Sequence, residues 1–147
     1  MIERTNVQVF LCMRNPDFKT LILKRSQERG GFWQPITGGI EKGENAYDTI
    51  KREVFEETGF QDIEKVYDLN YTFTYKAPIS RKWMIDICFG VEIDKIFDVC
   101  LSDEHEEYIW CNEKEAKQIL NWKYYLLAFD KLLNIIRNDK ITTYYKK

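Results

Sequence analysis

Residues 45–59 are the stretch that most restricts how this chain can fold. Ala46, Ile50 and Val54 recur at helical spacing, with Tyr47 widening the apolar stripe and Phe55 beside Val54. Both ends of the predicted helix are marked. Asn45 offers a side-chain acceptor to the unpaired amides of a first turn, Asp48 places negative charge in that turn, and Gly59 stands where a left-handed stop belongs. A helix with one apolar stripe needs a covering layer, so the flanking sequence decides the fold class.

That flanking sequence reads as strands. Residues 7–13 and 20–24 are apolar, β-branched runs separated by Asn15-Pro16-Asp17, which is turn chemistry, and they predict a hairpin. Residues 26–31 predict a loop, and residues 32–36 a short strand that runs into a flexible turn at Gly38-Gly39. Residues 66–75 and 83–93 predict a second antiparallel pair, and residues 107–111 a short strand after a loop around 94–102. Asn112 with Glu115 three residues on has the form of a capping box, and residues 123–137 carry the apolar spacing of a closing helix. The order is strands, helix, strands, short helix, helix. It predicts an α/β (α+β) fold, a mixed sheet packed between helices, as one layered domain over residues 1–147. A chain of this length with 44% hydrophobic residues can bury a single core.

Charge and composition narrow the function. Twenty-two basic and 24 acidic residues, a formal net charge of -2, give no overall basic field of the kind that non-specific nucleic-acid binding needs. No apolar run approaches the roughly 20 residues that span a bilayer. With the polar start Met1-Ile2-Glu3-Arg4, this predicts a soluble, cytoplasmic protein with no membrane partner. Cys12, Cys88, Cys100 and Cys111 lie far apart without a C-x-x-C pair, and three of them sit in strand-like apolar stretches. Reduced, buried thiols are expected, not a zinc site or a disulfide framework. His105 is the only histidine, which excludes a two-histidine zinc site. The aromatic tail, residues 142–147, is expected either to pack across a homodimer or to fray.

The chemistry concentrates in Gly38-Gly39-Ile40-Glu41-Lys42-Gly43-Glu44 and in Arg52-Glu53-Val54-Phe55-Glu56-Glu57-Thr58-Gly59. Glu53, Glu56 and Glu57 stand three and four residues apart, so a helix gathers their carboxylates on one face. Such a cluster repels itself and takes up protons unless a cation neutralises it. Oxygen-only ligands suit a hard ion, magnesium above all, which keeps waters and binds substrate phosphates. An acidic helix face taken alone is usually just solvated. The glycine-bounded loop and Arg52 argue otherwise, because arginine holds and orients a carboxylate, with Glu44 as the expected partner. Gly38 lets the backbone approach an ion and offer its carbonyl.

Glycine, five residues, glutamate, seven residues, then Arg-Glu-apolar-any-Glu-Glu-any-Gly-apolar resembles the signature of the Nudix hydrolases. Every fixed position of residues 38–60 matches, with the aromatic Phe60 where an aliphatic residue is more usual. By chance, roughly one chain in a million of this length would match seven such positions, so coincidence is a poor explanation. The resemblance implies Mg2+ or Mn2+ held by Glu53, Glu56 and Glu57, with the Gly38 carbonyl as a further ligand. It implies water attack on a nucleoside-diphosphate-linked small molecule, with Glu53 or Glu56 activating the water and Arg52 completing the catalytic set. Residues 103–107 are similar to a segment of the dihydroneopterin triphosphate pyrophosphatases, which makes Glu104 an additional candidate ligand, a solvated acidic turn being the alternative. Phe32-Trp33-Gln34 and Asn121-Trp122 are similar to that subgroup too. They place Arg25, Trp33, Gln34 and Gly39 as candidate substrate contacts, Trp33 being either a stacking platform or a core aromatic. The implied activity is a pyrophosphohydrolase of a nucleoside or pterin triphosphate. The alternatives are a dinucleoside polyphosphate or nucleotide-sugar hydrolase, and a non-catalytic nucleotide-binding module.

Overall fold

A computed structural model of the chain describes residues 1–138 and 143–146, the last four through their backbone only. In chain order the elements are β1 (Arg4–Met13), β2 (Lys19–Arg25), β3 (Trp33–Gln34), β4 (Ile36–Gly39), α1 (Ala46–Thr58), β5 (Lys65–Lys76), β6 (Trp83–Glu92), β7 (His105–Cys111), α2 (Glu113–Ile119), α3 (Lys123–Asn138) and β8 (Thr143–Lys146). A single 3-10 turn, Gln27–Arg29, follows β2.

One mixed sheet organises these elements. Its main path runs β3-β2-β1-β6-β5-β8, while β4 pairs with β1 and β7 with β2. The hairpin β1–β2 and the pair β5–β6 are antiparallel, as the turn chemistry predicts. The two halves join through β1 and β6, which run parallel with Val7 opposite Ile87 and Val9 opposite Phe89. Local sequence carries no signal for that long-range pairing.

Alternation along β1 sorts the core into two layers. Val7, Val9 and Leu11 face α1 and pack with Ile50 and Val54. Phe10 and Cys12 face the other way, against Ala128, Phe129 and Leu132 of α3 and Ala116 of α2. The helices therefore cover both faces of the sheet. Phe10 and Phe129 are fully buried with ring centroids 5.5 Å apart, and burying each contributes about 2 kcal/mol.

The ends of α1 follow the sequence closely. Asn45 and Asp48 form a reciprocal capping box, and Gly59 closes the helix at φ 83°, a left-handed conformation that a side chain would strain. Asn112 and Glu115 form a second capping box at α2.

Two expectations need correction. Gly38-Gly39 is not a turn but the end of strand β4, where Gly38 pairs with Val7 and Gly39 with Asn6. Pro35 breaks the run into β3 and β4, and β1 offers the second piece a partner strand. Cys12, Cys88 and Cys111 are buried free thiols as expected, but Cys100 is exposed. It lies in a segment with no strand to cover it.

Among the described residues no helix is long and apolar enough to cross a membrane. The expected packing of the tail across a dimer concerns side chains of residues 142–147, which lie outside the described residues.

Candidate active site

Helix α1 and the loop before it carry the acidic cluster, and Arg52 ties both to strand β4. Its Nε donates to Glu44 Oε2 at 2.7 Å and its Nη2 to Glu44 Oε1 at 3.0 Å, a bidentate clasp that the sequence anticipates. Nη1 donates to Glu53 Oε2 at 2.9 Å and to Glu56 Oε1 at 3.1 Å. Nη2 also donates to the Gly39 carbonyl at 2.8 Å. One guanidinium thus joins the loop, the strand and the helix.

Glu44 accepts in addition from Thr49 Oγ1 at 2.9 Å and from the Glu41 amide at 2.9 Å. Arg52 above all, with these donors, holds its carboxyl down at about 2. Thr49 is fully buried, and its part in fixing Glu44 carries no sequence signature beyond its place in the first turn of α1.

Glu53 is placed differently. It is only 8% exposed, and burial pushes its carboxyl up to about 7, although Arg52 pulls the other way. Glu56 and Glu57 add to the upward push. Gly38 faces this side chain so closely that a Cβ there would lie 1.9 Å from Glu53 Cδ. Glycine at 38 is a space requirement. Gly39 is equally confined, because a Cβ would come within 2.4 Å of the Arg4 guanidinium.

The three helix glutamates do not converge on one point. Glu53 and Glu56 meet through Arg52, with the Glu56 side chain about half exposed at 52%. Glu57 turns inward, 2% exposed, where Ser102 Oγ donates to its Oε1 and His105 Nδ1 stands 3.5 Å away. Burial raises the Glu57 carboxyl, but His105 and Ser102 together outweigh it and leave it below the ordinary value. Glu104 lies beside these residues with its carboxylate 3.9 Å from Arg29. Among the described residues no three acidic, histidine or cysteine side chains already enclose an ion-sized space.

The surroundings nonetheless suit a hard cation. The donors are carboxylates, Glu53 is buried with only Arg52 to counter it, and Gly38 leaves the backbone open at its side. His105 and Ser102 were not anticipated at Glu57. The Glu-His spacing of residues 104–105 pointed to the segment, but to the neighbouring side chain.

The candidate substrate contacts gather on the opposite face of β4. Arg25 Nη1 donates to Gln34 Oε1 at 3.1 Å and its Nε to the Arg29 carbonyl at 2.9 Å, while its guanidinium sits 5.5 Å from the Phe32 ring centre. Gln34, 2% exposed, also donates to Thr37 Oγ1 at 3.2 Å. With Trp33 they line a cleft of about 860 Å³ whose far wall is Tyr75, Trp122 and Tyr125. Trp33 is half-buried against the core and also borders the cleft. Arg4, Arg29 and Lys76 also border it, facing one acid, Glu28. A chain of net charge -2 therefore carries a basic, aromatic cleft. Tyr75 is fixed there by its hydroxyl, which donates to the buried Asp86 at 3.1 Å. Arg4 and Tyr75 enter from strand ends far from the motif, and only the fold brings them in.

The chain matches the NUDIX domain model over residues 4–129. It is 30% identical over 118 residues to the asymmetrical bis(5'-nucleosyl)-tetraphosphatase of Mus musculus, covering 76% of each chain. To the dihydroneopterin triphosphate diphosphatase of Haemophilus influenzae it is 27% identical over 130 residues, covering 81% of this chain and 82% of that one. An octanoyltransferase of Myxococcus xanthus is 32% identical over 107 residues, but the chain spans only 30% of its length. The fold superposes on a C. elegans Ap4A hydrolase with a TM-score of 0.80 at 20% identity, covering 92% of this chain and 98% of that one. The motif residues, the sheet that carries them and these matches agree: the chain belongs to the Nudix family, hydrolases that act on pyrophosphate bonds and generally use a divalent metal, typically Mg2+.

Proposed function

We propose that this chain cleaves a nucleoside or pterin triphosphate to the monophosphate and pyrophosphate, with a divalent ion held by Glu53, Glu56 and Glu57. The Gly38 carbonyl and Glu104 are further candidate ligands. One observation carries this reading: the basic, aromatic cleft extends to Thr37, the residue before Gly38-Gly39, where Arg52 and Glu53 meet strand β4, so a ring in the cleft has its phosphates within reach of the glutamate helix. Volumes of roughly 300–1,000 Å³ suit a small ligand, and the cleft falls within that range.

Each side chain then has a task that follows from its surroundings. Trp33 and Tyr75 offer ring faces and edges to a planar heterocycle. Arg25, held in place by Gln34 and the Arg29 carbonyl, meets phosphate oxygens. A bound ion would neutralise phosphate charge and acidify the attacking water. Glu53, whose carboxyl burial raises in the ion-free protein, is the candidate for drawing a proton from the attacking water. Arg52 keeps Glu53 and Glu56 in register with Gly39.

A panel of nucleoside triphosphates, a pterin triphosphate, dinucleoside polyphosphates and nucleotide sugars, each assayed with Mg2+ and analysed for products, tests the proposal. The expected products are inorganic pyrophosphate and one organic monophosphate. Two organic phosphates from a dinucleoside tetraphosphate would move the assignment to the activity named for the mouse relative, which the 30% identity favours as second reading. A melting shift with one compound and hydrolysis of none would make the chain a binding module instead.

A further inference from the structure

The segment before β7 is stitched to α1 and to β2. The Cys100 amide donates to the Thr58 carbonyl at 2.9 Å, and the Ser26 amide donates to the Glu104 carbonyl at 3.0 Å. Ser102 lies between these two points and His105, at the start of β7, directly after the second, and both are directed at Glu57. A register shift between Lys24 and Arg25 places His105 opposite Arg25 across the β2–β7 ladder, and local bulges of this kind re-aim a side chain.

His105 is an expensive choice for a merely structural position. Its residue is 6% exposed, and among the described residues neither ring nitrogen has a hydrogen-bond partner. A buried polar atom left unmatched costs about 1–3 kcal/mol, and an apolar side chain of similar size would avoid that cost. The Glu57 carboxylate, 2% exposed, faces the ring, with Nδ1 at 3.5 Å from Oε1, and Arg25 stands opposite His105 in the ladder.

We propose that Ser102 and His105 are positioning residues for Glu57, a strap that holds its carboxylate aimed so that α1 can take up a divalent ion. The inference rests on α1 being the ion-binding helix, and it assigns to residues outside the family motif the part of tuning that helix. Neither residue touches substrate. Their effect runs through Glu57 and is read in ion affinity.

The test titrates Mn2+ into full-length protein and follows the free-ion signal by electron paramagnetic resonance, with melting temperature as the folding control. His105→Phe should weaken Mn2+ binding by about tenfold or more, the range typical of residues that orient a metal ligand. His105→Asn, whose amide nitrogen falls near the place of Nδ1, should recover most of the loss. Ser102→Ala should weaken binding in the same direction by less, and it carries the test alone if His105→Phe does not fold. On a Glu57→Gln background the His105→Phe change should have no further effect, since the coupling partner is gone. Unchanged Mn2+ affinity in His105→Phe or Ser102→Ala, or an undiminished loss on the Glu57→Gln background, overturns the strap. Absence of Mn2+ binding in the wild type overturns the ion-binding helix itself, and is recognised because it needs no variant.

Discussion

The two faces of strand β4 are built by opposite routes. On the α1 face, Glu44, Arg52, Glu53, Glu56 and Glu57 come from fourteen consecutive residues, and Arg52 binds Glu44, Glu53 and Glu56 by short charged hydrogen bonds. On the cleft face, Arg4, Arg25, Trp33, Tyr75 and Trp122 come from the whole length of the chain and meet only because β1, β2, β3, β5 and the connection between α2 and α3 converge. The first face is a preassembled charge cluster. The second is a surface whose composition can change without disturbing that cluster, and family members with different substrates are expected to differ there.

If that division is right, changes on the two faces should separate in kinetics, and the largest effects belong to the α1 face. Glu53→Gln removes the buried carboxyl while keeping its shape, and should cut kcat by about a hundredfold or more, in line with losing a general base. Glu56→Gln should cut kcat as well, with folding intact by circular dichroism. Steady-state kinetics decides the matter: a large rise in KM at unchanged kcat would erase the distinction between the faces.

Gly38→Ala comes next, since it changes no charge. The added Cβ would overlap Glu53 at 1.9 Å, so the carboxylate has to move. A displacement of about an ångström at a reacting group can cost roughly a hundredfold in rate, and kcat should fall accordingly with KM little altered. Normal turnover in this variant would mean that the placement of Glu53 against β4 is unimportant.

The cleft face predicts the reverse pattern at smaller size. Trp33→Ala should raise KM about tenfold with little loss of kcat, because stacking on an aromatic side chain is worth about 1–3 kcal/mol per ring. Arg25→Gln should act in the same sense, since it stays polar but loses the charge proposed to meet phosphate. A loss confined to kcat in either variant would place these residues with the α1 machinery.

The same division explains what was legible in the sequence. Helical periodicity, capping residues and i, i+3 and i+4 spacing are local, so α1, its ends and the Arg52–Glu44 clasp were readable before any coordinates. The parallel pairing of β1 with β6 is not local, and with it went Arg4 and Tyr75. Gly38-Gly39 reads as a turn because glycine pairs usually do; the close approach of Glu53 and Arg4 that demands glycine there is a tertiary fact. The common face expected for Glu53, Glu56 and Glu57 holds for their helix positions, but their rotamers follow different partners, Arg52 for two and the Ser102–His105 segment for the third.

The smallest expected effect concerns stability and depends on sign. Burial lifts the Glu53 carboxyl to about 7 from an ordinary value of 4.5, so the fold prefers it protonated. Its contribution is complete below pH 4.5 and is lost as the pH rises through about 7. Asp86, fully buried and raised above all by its burial, acts in the same direction, while Glu44, depressed by Arg52, loses its contribution only as the pH falls from 4.5 towards 2. Between pH 5.5 and 7.5, in chelator, the wild-type melting temperature should therefore decline by up to roughly 5 °C per pH unit from Glu53, taking about 1.4 kcal/mol per unit. Glu53→Gln should flatten that decline. Mg2+ should restore most of the lost stability at pH 7.5 and little at pH 5.5, where protons compete for the carboxylate. A melting temperature that rises with pH across this window in the ion-free wild type would show that Glu53 is charged from the outset. Arg52 alone would then suffice to hold the cluster, and the α1 face would need no ion to complete its balance of charge.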